Sequence, residues 1–206
     1  DLMREVDPLM TKRWRSWELY HQAPMPMVTI FQTLDITNLM RWQKRGYKMN
    51  MLLCYCIGKA AQCCEEFYLL PQGERMLAYD QIGISVIVAN AQDGINSCDI
   101  PFTDDLETFN ERYLHGTQTV RETCSDLTAE DCMMIGTSAL VDYEVDGAIN
   151  MYSGIYNNPF LIWGKYKEEG EKITLKISFQ FHHVQMDGRE ACEFLKRLQE
   201  EVDEWK

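Results

Sequence analysis

The sequence has no apolar run long enough to span a bilayer, and no basic-then-apolar leader stands at its start. Membrane insertion is therefore not expected. It is short of positive charge: 20 Lys and Arg face 32 Asp and Glu, a formal net charge of -12. A surface of that sign repels phosphate backbones. Nucleic acid is thus not expected as a partner, although an anionic cofactor could still use a locally basic groove. Neither a Gly-rich phosphate loop nor a GxSxG elbow occurs, so a P-loop site and a serine hydrolase both lack support. No internal repeat or low-complexity stretch is present. Histidine is scarce, at four residues.

Cysteine is plentiful, at eight residues, but its placement excludes the usual readings. Cys54, Cys56, Cys63 and Cys64 crowd one apolar segment, MLLCYCIGKAAQCCEEF, and none forms a CxxC pair of zinc spacing. They read as small buried thiols on a core helix, which fits a reducing cytoplasm.

What remains is a chain of 206 residues with 46% hydrophobic content, enough to bury a core as one domain over 1–206. TKRWRSWELYHQ reads as a helix that the prolines of APMPM end. VTIFQTLDI follows as a strand, then a short helix TNLMRWQKRG capped by Asp35 or Thr37 and closed at Gly46. The longest helical candidate is MNMLLCYCIGKAAQCCEEFY, apolar nearly all round and hence buried. ISVIVA is a strand covered on both faces. DGIN at 93–96 is a turn. TDDLETFNERYLHGTQTVRETC is an amphipathic helix whose Asp104 and Asp105 suit its positive end. CMMIGTSAL, GAINMYS, FLIWGKY and KITLKISFQFHH are strand candidates, the last two joined by a hairpin at EEGEK. GREACEFLKRLQEEVDEWK is a terminal amphipathic helix. The expected fold class is α+β: a two-layer sandwich with a mixed, largely antiparallel sheet covered by helices.

Two of the four histidines lie in FHHVQMDG, residues 181–188. Alternation along KITLKISFQFHH puts Ile173, Leu175, Ile177, Phe179, Phe181 and His183 on one face, and Ser178, Gln180 and His182 on the other. An imidazole beside a core is desolvated, which favours the neutral form a general base needs. Asp187 either caps the last helix or pairs with a cation, and Gly188 permits a tight backbone path. A strand-ending histidine before a helix also occurs without any catalytic role. A metal site lacks a third well-spaced ligand. His21 and His115 read as lone surface histidines. Asp142, Glu144 and Asp146 read as a solvated edge rather than a calcium loop.

GKYKEEGEKITLKISFQFHHVQMDG resembles the corresponding stretch of the chloramphenicol acetyltransferase family, where a strand runs into HHxxxDG and a last helix follows. RWRSWELY, LDIT, the apolar helix 50–67 and the ending LQEEVDEWK are similar to that family in the same order, so the resemblance covers nearly the whole chain. It implies an acetyl-CoA-dependent O-acetyltransferase, with a role in antibiotic resistance, working as a homotrimer with active sites between subunits. No bound cofactor is implied; acetyl-CoA is a co-substrate. His183 would be the general base for a small-molecule hydroxyl, chloramphenicol or a related acceptor, and His182 a support. Asp187 would pair with Arg13 and hold the loop together with Gly188. The oxyanion donor would be Ser138 if Ser-Ala-Leu is the anchor, or Thr137 if downstream spacing is kept. Lys165 and Tyr166 would lie at the CoA channel. Tyr20, Ile149 and Met151 would line the acceptor pocket. The sequence departs from the family where Val141 and Asp142 replace Pro-Trp, at Ile162 in place of a threonine, at Glu190 in place of a frequent histidine, and in APMPM, which lacks an aromatic residue. Those changes touch acceptor and transition-state contacts. They motivate a second reading, a non-catalytic binding or structural trimer that keeps the fold.

Overall fold

The computed structural model describes residues 2–205. In chain order the elements are β1 (Met3–Val6), α1 (Trp14–Tyr20), β2 (Met27–Asp35), α2 (Thr37–Lys44), α3 (Met49–Gln62), β3 (Leu69–Gln72), β4 (Arg75–Tyr79), β5 (Ile82–Ala89) and β6 (Ile95–Pro101). They continue with α4 (Leu106–Thr123), β7 (Met133–Ala139), β8 (Phe160–Trp163), β9 (Lys167–Glu169), β10 (Lys172–His182) and α5 (Gly188–Asp203). The large sheet has the order β2-β10-β8-β7-β5-β6, with β9 paired to the start of β10; β1, β4 and β3 make a small antiparallel sheet.

Local chemistry explains most boundaries. The Asp105 carboxylate accepts from the Thr108 amide at 2.9 Å and caps α4. Asp35 Oδ1 accepts from the Thr37 amide at 3.0 Å where α2 begins, and Gly46 follows that helix with φ of 106°. The hairpin between β5 and β6 turns on Asn90, whose Oδ1 accepts from the amides of Gln92 and Gly94. The turn from β9 to β10 has Gly170 at φ 65°.

α3, α4 and α5 cover one face of the large sheet with a continuous core. Ile177, Phe179 and Phe181 of β10 and Leu161 and Trp163 of β8 point into it, all almost fully buried. Cys54 and Cys56 lie within this core, where burial pushes both thiols up, Cys54 to about 12. All eight cysteines are free. The expectation that the four clustered thiols are all buried needs correction at its end. α3 stops at Gln62, and Cys63 beyond it is exposed.

One further expectation is corrected. GAINMYS is not a strand: residues 147–153 cross the face of β10, and their amides find side chains instead of a ladder. Ala148 N–H donates to Ser178 Oγ and Asn150 N–H to Gln180 Oε1, each at 2.9 Å. The sheet is mixed and largely antiparallel, as expected. β7 runs parallel to both β5 and β8, because α4 and then the irregular stretch 140–159 supply the long connections that parallel neighbours need. β1 and β6 carry no clear alternation of their own and were not legible as strands.

Candidate active site

The loop that follows β10 is held by one guanidinium. Arg13, at the N-terminal cap of α1 and only 11% exposed in its side chain, makes four hydrogen bonds. Its Nε donates to Val184 O at 2.8 Å and Nη2 to His183 O at 2.8 Å. Nη2 and Nη1 also donate to Asp187 Oδ1 and Oδ2, at 2.8 and 3.2 Å, a bidentate pairing. The hydrogen bond from Arg13 holds the Asp187 carboxyl below its ordinary range. Asp187 occupies the cap position of α5 without bonding its amides; its carboxylate goes to Arg13 instead. Gly188 has no positive φ, and open space surrounds the place of a Cβ, so this chain makes no steric demand for glycine there.

His183 sits on this braced loop, its backbone N–H donating to Pro26 O at 2.8 Å. Its ring stacks on Tyr20 of α1, centroids 4.0 Å apart. Nδ1 is buried, 3.4 Å from Asp187 Oδ1 and without a hydrogen bond. The exposed part of the ring, 29% of the side chain, therefore includes the Nε2 side. Nε2 is the more accessible of the two ring nitrogens.

Deep desolvation falls on the other histidine, which corrects the expectation from alternation. His182 is 1% exposed, although it lies on the face that looked polar. Its Nδ1 accepts from the Val184 amide at 3.0 Å. Burial first, then His183 and His21, lower its pKa from 6.5 to about 4. Between those values the unfolded chain binds a proton that the folded chain refuses. Stability is thus complete above about pH 6.5 and falls as pH drops toward 4, by about 3 kcal/mol. We expect His182→Asn, which keeps an acceptor for Val184, to flatten this acid limb in melting temperature measured from pH 7 to 4.5. An unchanged limb would assign the acid sensitivity elsewhere. His21 is not a free surface residue either: it stacks on Trp17 at 4.4 Å, whereas His115 is exposed.

The two candidate oxyanion donors separate cleanly. Thr137 faces the helices, 3% exposed, and its hydroxyl donates to Ser85 O at 2.9 Å. Ser138 faces the opposite side, in a cavity of about 660 Å³ whose walls include Ile87, Asn150, Met151, Tyr156, Phe160 and Ile162. Gly136 lets the Phe160 ring lie on the sheet here; a Cβ would stand 2.2 Å from it. Of the remaining pocket candidates, Met151 lines this cavity and is 86% exposed, while Ile149 is exposed beside it.

A second cavity, of about 430 Å³, holds Lys165 and Tyr166 together with Lys48, Arg121, Tyr113 and Trp163. Lys48 and Arg121 were not singled out from sequence. They come from the start of α3 and the end of α4, and only the fold brings these cations beside Lys165. In the described residues no helix is long and apolar enough to cross a membrane.

Ser138 and His183 do not meet within one chain. Ser138 pairs with Ile162, which pairs with Ser178. His183 lies five residues farther along, roughly 17 Å at about 3.4 Å per residue, and on the other face by alternation.

The fold is a mixed sheet covered on one face by α3, α4 and α5, with a histidine loop braced to its first helix. Comparison agrees: a solved chloramphenicol acetyltransferase superposes with a TM-score of 0.82 over 97% of this chain and 99% of its own, at 18% identity. A probable dihydrolipoamide acetyltransferase from Listeria monocytogenes superposes with a TM-score of 0.72 over 98% of this chain and 95% of its own, at 12% identity. The chain belongs to the chloramphenicol acetyltransferase family, whose sequence profile matches residues 4–199. It is similar to chloramphenicol acetyltransferase 3 of Escherichia coli, 23% identical over 92% of this chain and 93% of that protein. It is also similar to a chloramphenicol acetyltransferase of Campylobacter coli, 42% identical over 25% of this chain and 26% of that protein.

Proposed function

We propose that the protein transfers acetyl from acetyl-CoA to a hydroxyl of a small molecule, and that it does so as a homotrimer. His183 of one subunit then faces the Ser138 cavity of the next. The separation of His183 from Ser138 within one chain carries this reading: each is half a site. The exposed apolar side chains Phe31 and Ile155, with Ile149 and Met151, lie on the side of the sheet that a neighbour would cover.

His183 Nε2 takes the proton of the acceptor hydroxyl as its oxygen attacks the thioester carbonyl carbon. The Ser138 hydroxyl donates to the oxygen that becomes negative. The intermediate then collapses, the carbon–sulfur bond breaks, and the leaving thiolate takes the proton back from the His183 imidazolium. The products are an acetyl ester and free CoA, with no acyl group left on the protein. Positioning and proton transfer supply the rate. The cations Lys48, Lys165 and Arg121 suit the phosphates of CoA, and Tyr166 offers a flat surface to its adenine or pantetheine.

Ser138→Ala should lower kcat by about 10²–10³-fold, as loss of one oxyanion donor does, while Thr137→Val should cost stability and leave kcat near wild type. Mixing the inactive Ser138→Ala and His183→Ala chains through unfolding and refolding tests the interface. Random assembly gives about one intact site in four, hence about a quarter of wild-type thiol release. Full-sized oligomers that stay inactive would sink the shared site.

A further inference from the structure

The Ser138 cavity contains one charge. Asp99 of β6 lines it, and every other polar side chain on its wall is a neutral hydroxyl or amide, with no Lys, Arg or His. Asp99 Oδ2 accepts from the Ala129 amide at 3.0 Å, and Oδ1 has no hydrogen-bond partner among the described residues. The register fixes which way Asp99 points. It pairs with Ser85, and Ser85 pairs with Gly136, so Asp99, Ser85, Gly136 and Ser138 share one face. Close to Asp99, the Tyr156 phenol is pushed up to about 12, by burial first and Asp99 second, and stays a hydrogen-bond donor.

We propose that the acceptor is a cationic alcohol, carrying an ammonium group that Asp99 binds while its hydroxyl lies beside Ser138. This rests on the Ser138 cavity being the acceptor pocket. The chemistry follows from the wall. Ile87, Ile95, Met134, Phe160 and Ile162 make most of the cavity apolar, and a neighbouring subunit would close it further. Asp99 is part-buried with one carboxylate oxygen unbonded, and a neighbouring subunit that closed the cavity would desolvate it further; a neutral acceptor leaves that cost standing and a cation removes it. The spacing follows from the sheet. From Asp99 to Ser138 is two strand spacings of about 4.8 Å and two residues of about 3.3 Å, roughly 12 Å between Cα atoms. Allowing hydrogen-bond reach of about 3 Å at each end leaves roughly 6–9 Å between ammonium and hydroxyl.

Trimethylammonium-hexanol and its neutral tert-butyl isostere test this, since neither nitrogen nor carbon at that end can be acetylated. With acetyl-CoA and the full-length protein, thiol release should show kcat/KM at least about tenfold higher for the cationic alcohol. Asp99→Asn keeps an acceptor for Ala129 and should abolish the preference, raising KM for the cationic alcohol and leaving it level or lowering it for the neutral one. Equal handling of the two alcohols by wild type overturns the proposal. So does an equal loss for both in Asp99→Asn, which would leave Asp99 only its bond to Ala129. Release with neither alcohol overturns the acyl-transfer reading, and the thermal shift produced by each alcohol then decides the charge preference separately. A larger shift from the cation that Asp99→Asn removes supports it, and equal shifts overturn it.

Discussion

His183→Ala should lower kcat/KM for acetyl transfer by about 10²–10⁴-fold, with melting temperature and oligomeric state close to wild type. The reason lies in which atoms do what. The backbone of residue 183 is structural: its N–H bonds Pro26 O, and its carbonyl accepts from Arg13. Alanine keeps both. The imidazole itself makes no hydrogen bond and loses only its stack on Tyr20, a contact worth about 0.5–1.5 kcal/mol. A large rate loss on an intact fold is therefore expected. Turnover and thermal melting measured on the same preparations check it. A rate loss matched by a collapse in melting temperature would make His183 a packing residue.

Arg13→Ala should be the most destabilising single change in the loop, at about 3–5 kcal/mol, and Asp187→Asn should cost much less. The pair is unequal. Arg13 is nearly buried and serves two carbonyls besides the carboxylate, whereas the Asp187 side chain is 47% exposed. Removing the guanidinium leaves the carbonyls of His183 and Val184 without their donor, and an unmet buried acceptor costs about 1–3 kcal/mol. Removing only the Asp187 charge leaves those bonds in place, and water reaches the rest. Glu190, 3.9 Å from Arg13 Nη1, supplies a second carboxylate near the guanidinium. Activity should follow the same order, because the loop carries His183. Urea unfolding and kcat for both variants check this. Equal losses for the two would mean that the ion pair, and not the carbonyl bonds, holds the loop.

Much of the scaffold was legible because it depends on local rules. The amphipathic period of GREACEFLKRLQEEVD announces α5, the strict alternation of KITLKISFQF announces β10, and the Asp105 cap marks α4. β1 and β6 were not legible. Their stability comes from neighbours in the sheet rather than from a pattern of their own. GAINMYS looked like a strand and is not, because its amides meet the side chains of Ser178 and Gln180.

The sequence by itself determined that His182 and His183 diverge and that Thr137 and Ser138 diverge, since successive residues in a strand point to opposite faces. It could not say which face each would meet. Tertiary structure decided that. Helices over one side of the sheet enclosed Thr137, while residues 148 and 150 packed over Ser178 and Gln180 on the other side, where His182 is also buried. Ser138 and the open edge of His183 were left at cavity and surface. Burial is set by what packs on a face, and those partners lie far away in the chain.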